Sequence, residues 1–375
     1  MAQAPELNIP ASTSTVDVSI INTTGFMRGL TGGRFFEPYI RGHDFLAAPD
    51  YSFLIKHPVL KRSIVFDLGL RKDHWNLPPK TLEQFAKYNV DVIVPKHVRE
   101  ILDEHGVDTK SLEAVVWSHP HMDHTGDPAT FESSTAIIVG PGVQANFFPG
   151  YPADPNSGFL LEADYAGREV KELDFSKSGI KIGKFNAIDY FGDGSFYFID
   201  TPGHCIGHIS GFARVTSNPD SYIVMGGDAV HHGGELRPHP WLPLPDSIHP
   251  HPFEPFATSP CPGELFEHLL HNGKHEPFYV PAAKSPSCVH FDPDEAARTI
   301  KKLQECDAYD NILIVAAHDQ YLQGVADFFP KPANDFMAKG WVKQVRWAFL
   351  GDFAKAVGYD GKVAAAGEWE PFPRA

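Results

Sequence analysis

The chain has 375 residues, 42% hydrophobic and 21% charged, the balance of a globular protein large enough to bury a core rather than of a disordered or fibrous one. Its 47 acidic against 32 basic residues leave a formal charge of −15, which disfavours phosphate backbones and anionic lipid, so neither nucleic acid nor membrane is an expected partner. Four scattered cysteines, Cys205, Cys261, Cys288 and Cys306, form no CxxC pair and argue against a disulfide framework or a thiolate zinc site; with no bilayer-length apolar run and no signal-like start, the expected location is cytoplasmic.

In chain order, residues 1–15 are rich in Pro, Ser and Thr and read as a loose N-terminus. Strand signals follow at 16–21, 52–55 and 63–66, the last stopping at Asp67-Leu68-Gly69. Helical periodicity appears at 82–88 and again around 98–104, where Val98, Ile101 and Leu102 fall at i, i+3 and i+4. Four later apolar runs each end in His or Asp. The run 114–117 leads to His119, 196–199 to His204, 222–225 to Asp228, and 312–315 to His318. Short β-branched and aromatic runs of this kind read as buried strands, whose ends commonly present functional side chains. Between the last two, Asp292, Pro293 and Glu295 mark a capped helix start, with Ala296, Ile300 and Leu303 on one face. Two stretches, about 141–165 and 232–290, read as insertions in one domain spanning 16–330, with 331–375 as an extension packed on it through Trp341, Trp347 and Phe349.

The chemistry is concentrated in His119-Pro120-His121-Met122-Asp123-His124. His119 and His121, two apart at a strand end, can grip one divalent ion through neutral imidazole nitrogens. Asp123 and His124 can reach a second ion beside it, and His204, Asp228 and His318 complete a set too large for one tetrahedral ion. Two neighbouring ions would acidify water and clamp the attacking and leaving oxygens of a hydrolysis. Zinc is the default for this donor set, with manganese and iron accepting the same ligands. His208, His231, His232 and His290, taken singly, read as hydrogen-bonded residues rather than ligands.

His119-x-His121-x-Asp123-His124, Thr201-Pro202-Gly203-His204, Gly227-Asp228 and His318-Asp319 resemble, in order, the signature of the metallo-β-lactamase superfamily. The resemblance covers roughly residues 16–325. It implies an α/β (α+β) fold, an αββα sandwich of two mixed β-sheets flanked by helices, with the metals at one sheet edge. It also implies that His119, His121 and His204 hold one ion and Asp123, His124 and His318 the other, with Asp228 bridging. A bridging hydroxide would be the nucleophile, Asp123 the proton donor to the leaving group, and Asp67 a support behind the ligands. Within the superfamily the chain is most similar to N-acyl homoserine lactonases, through 291–295 opening a helix and the strand ending in His318-Asp319. Those enzymes carry a tyrosine three residues after the bridging aspartate; here the position is His231, whose imidazole is expected to donate to the substrate carbonyl.

The expected activity is therefore opening of a lactone, or cleavage of an ester, in a small hydrophobic acyl substrate. A thioesterase, polyketide-releasing or glyoxalase-II-like, is the alternative on the same site. Phe147, Phe148, Trp241, Phe253 and Phe256 are expected to line an apolar pocket over the metals. The oligomeric state is not legible in the sequence.

Overall fold

The computed structural model describes residues 3–254, 257–361 and 363. Two large sheets carry the molecule. The first, among the described residues, has seven strands: β1 (Asp17–Arg28), β2 (Ala48–His57), β3 (Arg62–Phe66), β4 (Asp91–Ile93), β5 (Ala114–Val116), β6 (Ala136–Val139) and β7 (Val170–Glu172), in the order β4-β1-β2-β3-β5-β6-β7. The second has six: β8 (Ile180–Ile182), β9 (Phe185–Asp189), β10 (Phe196–Asp200), β11 (Ile209–Thr216), β12 (Ser221–Gly227) and β13 (Ile312–Ala316), in the order β13-β12-β11-β10-β9-β8. Both sheets are mixed. β3, β5, β6 and β7 run parallel beside the antiparallel β1–β2–β3 meander, and β13 runs parallel to β12 in an otherwise antiparallel sheet.

Period-two alternation decides which face each residue takes. Ile64 and Phe66 of β3 point inward to a core shared with Phe196, Phe198, Ile223 and Val315 of the other sheet. Val65, between them, points outward to Val98, Ile101 and Leu102 on α2 (Val98–Glu104). The second sheet repeats the arrangement. Phe212, Val224 and Ile314 face outward onto Ile300, Leu303 and Cys306 of a long helix, Pro293–Asp307. That helix starts where capping chemistry places it, because Asp292 accepts a hydrogen bond from the Glu295 amide at 2.9 Å and Pro293 needs no partner there.

The 232–290 stretch does not stay a solvated loop. Leu244, Ile248, Phe253, Phe266, Phe278 and Tyr279 form a second apolar cluster with Trp347, Phe349, Leu350 and Phe353 from the C-terminal extension. Met27, Leu30, Phe35 and Phe36, from the end of β1 and the turn beyond it, join the same cluster. Trp341 packs instead into the core between the sheets. No helix among the described residues is long and apolar enough to cross a membrane.

Candidate metal centre

The site residues gather because five strands end on one side of the sandwich. Asp67 follows β3, His119 follows β5, His204 follows β10, Asp228 follows β12 and His318 follows β13. His121, Asp123 and His124 sit on or beside α3 (Met122–Thr125), a single helical turn held against the strand ends by the Leu68 amide donating to the His124 carbonyl. Two glycines make the approach possible. Gly203 has φ +128°, and a Cβ there would lie 2.2 Å from the Ala296 nitrogen, so the turn into His204 can press against the helix that packs under it. Gly227 has φ +52°, and a Cβ would meet His208 Nε2 at 2.9 Å.

Of the potential ligand groups among the described residues, two share Asp228: His119, His121, His204 and Asp228, and Asp123, His124, His318 and Asp228. In each, one donor atom per residue lies within 4.8 Å of all the others. Asp228 belongs to both and divides its oxygens between them. Oδ2 is 3.4 Å from His204 Nε2 and 3.9 Å from His119 Nε2, whereas Oδ1 is 3.1 Å from His124 Nε2 and 3.3 Å from His318 Nε2. Asp123 Oδ2 lies 3.5 Å from His318 Nε2 and 3.9 Å from His124 Nε2.

Hydrogen bonding alone does not account for this arrangement. His119 Nε2 and His204 Nε2 both approach His121 Nδ1, at 2.8 and 2.9 Å, and one ring nitrogen cannot serve two imidazoles as a full partner. His124 Nε2 and Asp228 Oδ1 are buried without an aligned partner despite their proximity. The far nitrogens of two rings are fixed from behind, as expected of imidazoles presented to a cation. His124 Nδ1 donates to Asp67 Oδ2 at 2.8 Å, and His318 Nδ1 donates to the Pro49 carbonyl at 2.8 Å. Each then turns Nε2 toward Asp228. Asp67, fully buried, also accepts from the Ser118 amide at 2.7 Å, tying β5 to β3 beneath the site.

The electrostatics differ between the two groups. Burial, reinforced by neighbouring imidazoles, holds His119 and His204 well below the ordinary histidine range, so both offer neutral lone pairs. Burial pushes His318 and His124 the same way, but the carboxylates beside them win. His318 is raised to about 9, chiefly by Asp228 with Asp123 adding to it, and His124 stands well above its ordinary value through Asp228, Asp67 and Asp123. Burial opposes ionisation of Asp228, yet His124, His318 and His231 carry it well below the carboxylate range. Such a concentration of buried anionic oxygen calls for positive charge at this point. The donor set therefore fits divalent cations.

Above the groups lies a cavity of about 280 Å³ with His121, Asp123, His204, Asp228 and His318 on its wall. The remaining wall is largely apolar. α1 (Pro79–Tyr88) contributes Thr81, Gln84, Phe85 and Tyr88, which are i, i+3, i+4 and i+7 on one helical face. Met27, Leu30, Arg34 and Phe35 come from the end of β1 and the turn after it, Phe159 from the 141–165 stretch, and Val289 from the end of the 232–290 stretch.

A scan against family models matches the metallo-beta-lactamase superfamily over residues 51–258. The chain belongs to that superfamily. It is 44% identical over 356 residues to Gamma-lactamase FDB1 of Fusarium pseudograminearum (strain CS3096), covering 93% of this chain and 85% of that protein. It is 41% identical over 360 residues to the Penicillium roqueforti (strain FM164) protein Cytochrome P450 monooxygenase mpaDE, covering 94% of this chain but only 39% of that longer protein. The solved structure of an N-acyl homoserine lactone hydrolase with N-hexanoyl-L-homoserine at its catalytic metal centre superposes with a TM-score of 0.56. That likeness covers 85% of this chain and 99% of that one at 17% identity, and it concerns the fold. Metallo-hydrolase membership and the two-sheet sandwich therefore stand on sequence and structure together.

The predicted pocket residues are mostly elsewhere. Phe147 stands behind the wall, its ring 4.9 Å from that of Phe159. Phe148 is stacked on Tyr165 at 3.9 Å, Trp241 lies beside His239 at 5.7 Å, and Phe253 is buried in the second cluster against Tyr359. Phe256 lies outside the described residues. The physical reason is common to Phe148 and Phe253: each found a closer aromatic surface to cover than the cavity offers. His231 is also placed differently from the expectation. It is buried and is not among the residues lining this cavity, and its Nε2 donates to Asp228 Oδ2 at 3.2 Å.

Two further residues carry the site without a signal that sequence reasoning used. His208 accepts from the Asp228 amide through Nε2 at 3.0 Å and donates through Nδ1 to the Thr201 carbonyl at 3.0 Å, which fixes both its tautomer and the backbone of Asp228. Asp50 is completely buried with neither oxygen partnered among the described residues, and burial pushes it well above the carboxylate range against the pull of His124 and His318 beside it.

Proposed function

We propose that this metallo-hydrolase opens a lactone or γ-lactam ring in a small apolar substrate at a binuclear metal site. The observation that carries the reading is the division of Asp228 between two donor groups on the wall of a small, mostly apolar cavity. Two divalent ions, zinc by default, would supply an acidified water as nucleophile and polarise the carbonyl under attack. The protein does the rest. His119, His121 and His204 hold one position, and Asp123, His124 and His318 the other. Asp228 spaces them, oriented by His231 at its carboxylate and by His208 at its amide. Asp123 is on the cavity wall, where a carboxyl can pass a proton to the departing oxygen or nitrogen. Phe85, Phe159 and Phe35 exclude bulk water, which strengthens the polar interactions beneath them.

The name of the relative at 44% identity supports including a cyclic amide beside the lactone. The cavity volume, about 280 Å³, is enough to take a small cyclic substrate. The test is turnover by purified, metal-analysed protein of three size-matched compounds: an aryl-fused γ-lactone, the corresponding γ-lactam and an aryl thioester. Ring opening abolished by chelation and restored by metal is the expected result. Thioester cleavage without ring opening would move the protein to the thioesterase reading.

A further inference from the structure

The cavity holds one cation that the reaction does not need. Arg34 is half-buried on its wall, with the guanidinium carbon 4.1 Å above the Tyr88 ring and Nε donating to the Ser287 carbonyl at 3.2 Å. Among the described residues no carboxylate lies within ion-pairing distance, and neither terminal nitrogen has a hydrogen-bond partner. Four other buried or partly buried arginines are ion-paired, Arg71 by Asp73 and Asp164, Arg214 by Asp220, Arg237 by Asp307 and Arg346 by Asp310, and a fifth, Arg168, spends its terminal nitrogens on the Phe131, Glu132 and Thr135 carbonyls. A guanidinium whose terminal nitrogens meet neither carboxylate nor carbonyl is unlike these five, in a chain of charge −15. It is also costly, since burial pulls Arg34 below its ordinary value with only Tyr88 acting against it.

The geometry is that of a prepared site. The Tyr88 ring supports the guanidinium from one side, the Ser287 carbonyl holds Nε, and the two terminal nitrogens are left as a fork. A carboxylate matches that fork with two parallel N–H···O bonds. Around it the wall is mostly apolar, Met27, Leu30, Phe85, Val90 and Val289, with Gln84 and Tyr88 as neutral donors, so Arg34 is the cationic group on this part of the described wall.

We propose that Arg34 is a specificity-determining residue that selects substrates bearing a carboxylate remote from the ring bond being cleaved. The apolar ring system would fill the cavity between the two, with the reacting carbonyl toward Asp228 and the carboxylate on Arg34. The inference rests on the hydrolase reading for its substrate class.

The experiment compares two aryl-fused γ-lactones that differ only in a ring substituent, carboxylate or carboxamide, on wild-type, Arg34→Met and Arg34→Lys proteins. Wild type should favour the acid in kcat/KM by about tenfold or more, expressed mainly in KM, the size expected of a charge-assisted pair. Arg34→Met should bring the ratio to about one or below, and Arg34→Lys should keep part of it because the charge remains without the fork. An unchanged ratio in Arg34→Met would overturn the proposal, placing the carboxylate on the metal groups. An equal loss on both lactones would also overturn it, leaving Arg34 as a clamp between α1 and the segment at Ser287. If neither lactone is opened, the hydrolase reading fails on its own, and calorimetric binding decides Arg34. Phenylbutyrate binding more tightly than phenylbutyramide to wild type, but not to Arg34→Met, supports the anion site; equal preference in both proteins refutes it.

Discussion

Replacing Asp67 by asparagine tests the metal centre from behind, where no substrate reaches. Asp67 accepts two buried hydrogen bonds, from the Ser118 amide at 2.7 Å and from His124 Nδ1 at 2.8 Å. Its φ is +58°, a left-handed backbone that asparagine adopts readily and alanine does not. Asp67→Asn therefore keeps the backbone and, through its amide oxygen, the bond from Ser118. Its amide nitrogen, however, faces His124 Nδ1 with donor against donor. His124 can relieve this only by moving its proton to Nε2, which removes the lone pair aimed at Asp228. The stability cost is that of one mispaired buried group, about 1–3 kcal/mol. The metal affinity of the second group should fall by roughly 10–100-fold, the usual effect of losing the partner behind a ligating histidine. Asp67→Ala orphans both donors and adds backbone strain, for a destabilisation of about 3–7 kcal/mol. Urea unfolding reads the first quantity, and metal titration against a chromophoric chelator reads the second. Asp67→Asn protein that holds two ions as tightly as wild type would refute the role given to Asp67 and the tautomer given to His124.

Elemental analysis should find about two transition-metal ions per chain, and exhaustive chelation should abolish ring opening. Asp228→Ala should lose metal from both groups, whereas His231→Ala should keep both ions and lower kcat, because His231 only orients the shared carboxylate; near-native metal content in Asp228→Ala would remove the bridge. Phe253→Ala should cost about 3–5 kcal/mol in urea unfolding as a core truncation while kcat/KM stays within twofold, and a large loss of kcat/KM in folded protein would return Phe253 to the cavity. Arg237→Leu should destabilise by about 3–5 kcal/mol, since it leaves Asp307 buried without its bidentate partner. In wild type, burial opposes ionisation of Asp307, but Arg237 outweighs it and holds the carboxyl below its ordinary range. A depressed folded-state pKa contributes stability above the unfolded value, near pH 4, and that stability is lost as pH falls toward the folded one. Arg237→Leu should accordingly show a shallower acid limb, and an unchanged limb would show that the pair does not set it.

The ligand candidates were legible in the sequence because their chemistry is local. Four of them crowd into 119–124, and the other three each end an apolar run; that those runs end at one edge was decided by the pairing of β10 through β13 in a single sheet. Local signals also carried the long helix, since a capping aspartate and a proline at the first position act within one turn. Cavity walls are different. Which aromatic lines a cavity depends on what else competes for it, and Phe148 and Phe253 were taken by Tyr165 and Tyr359, partners 17 and 106 residues away. Phe159 and the face of α1 at Thr81, Gln84, Phe85 and Tyr88 line it instead. Nothing near them in the chain separates them from aromatics that are simply buried. The same holds for His208 and Asp50, single residues whose roles exist only through groups brought to them from other strands. Residue type and spacing determined what chemistry this protein can hold. Long-range packing, which sums contacts the chain does not encode locally, decided what space stands over it and where the unpaired charge of Arg34 would lie.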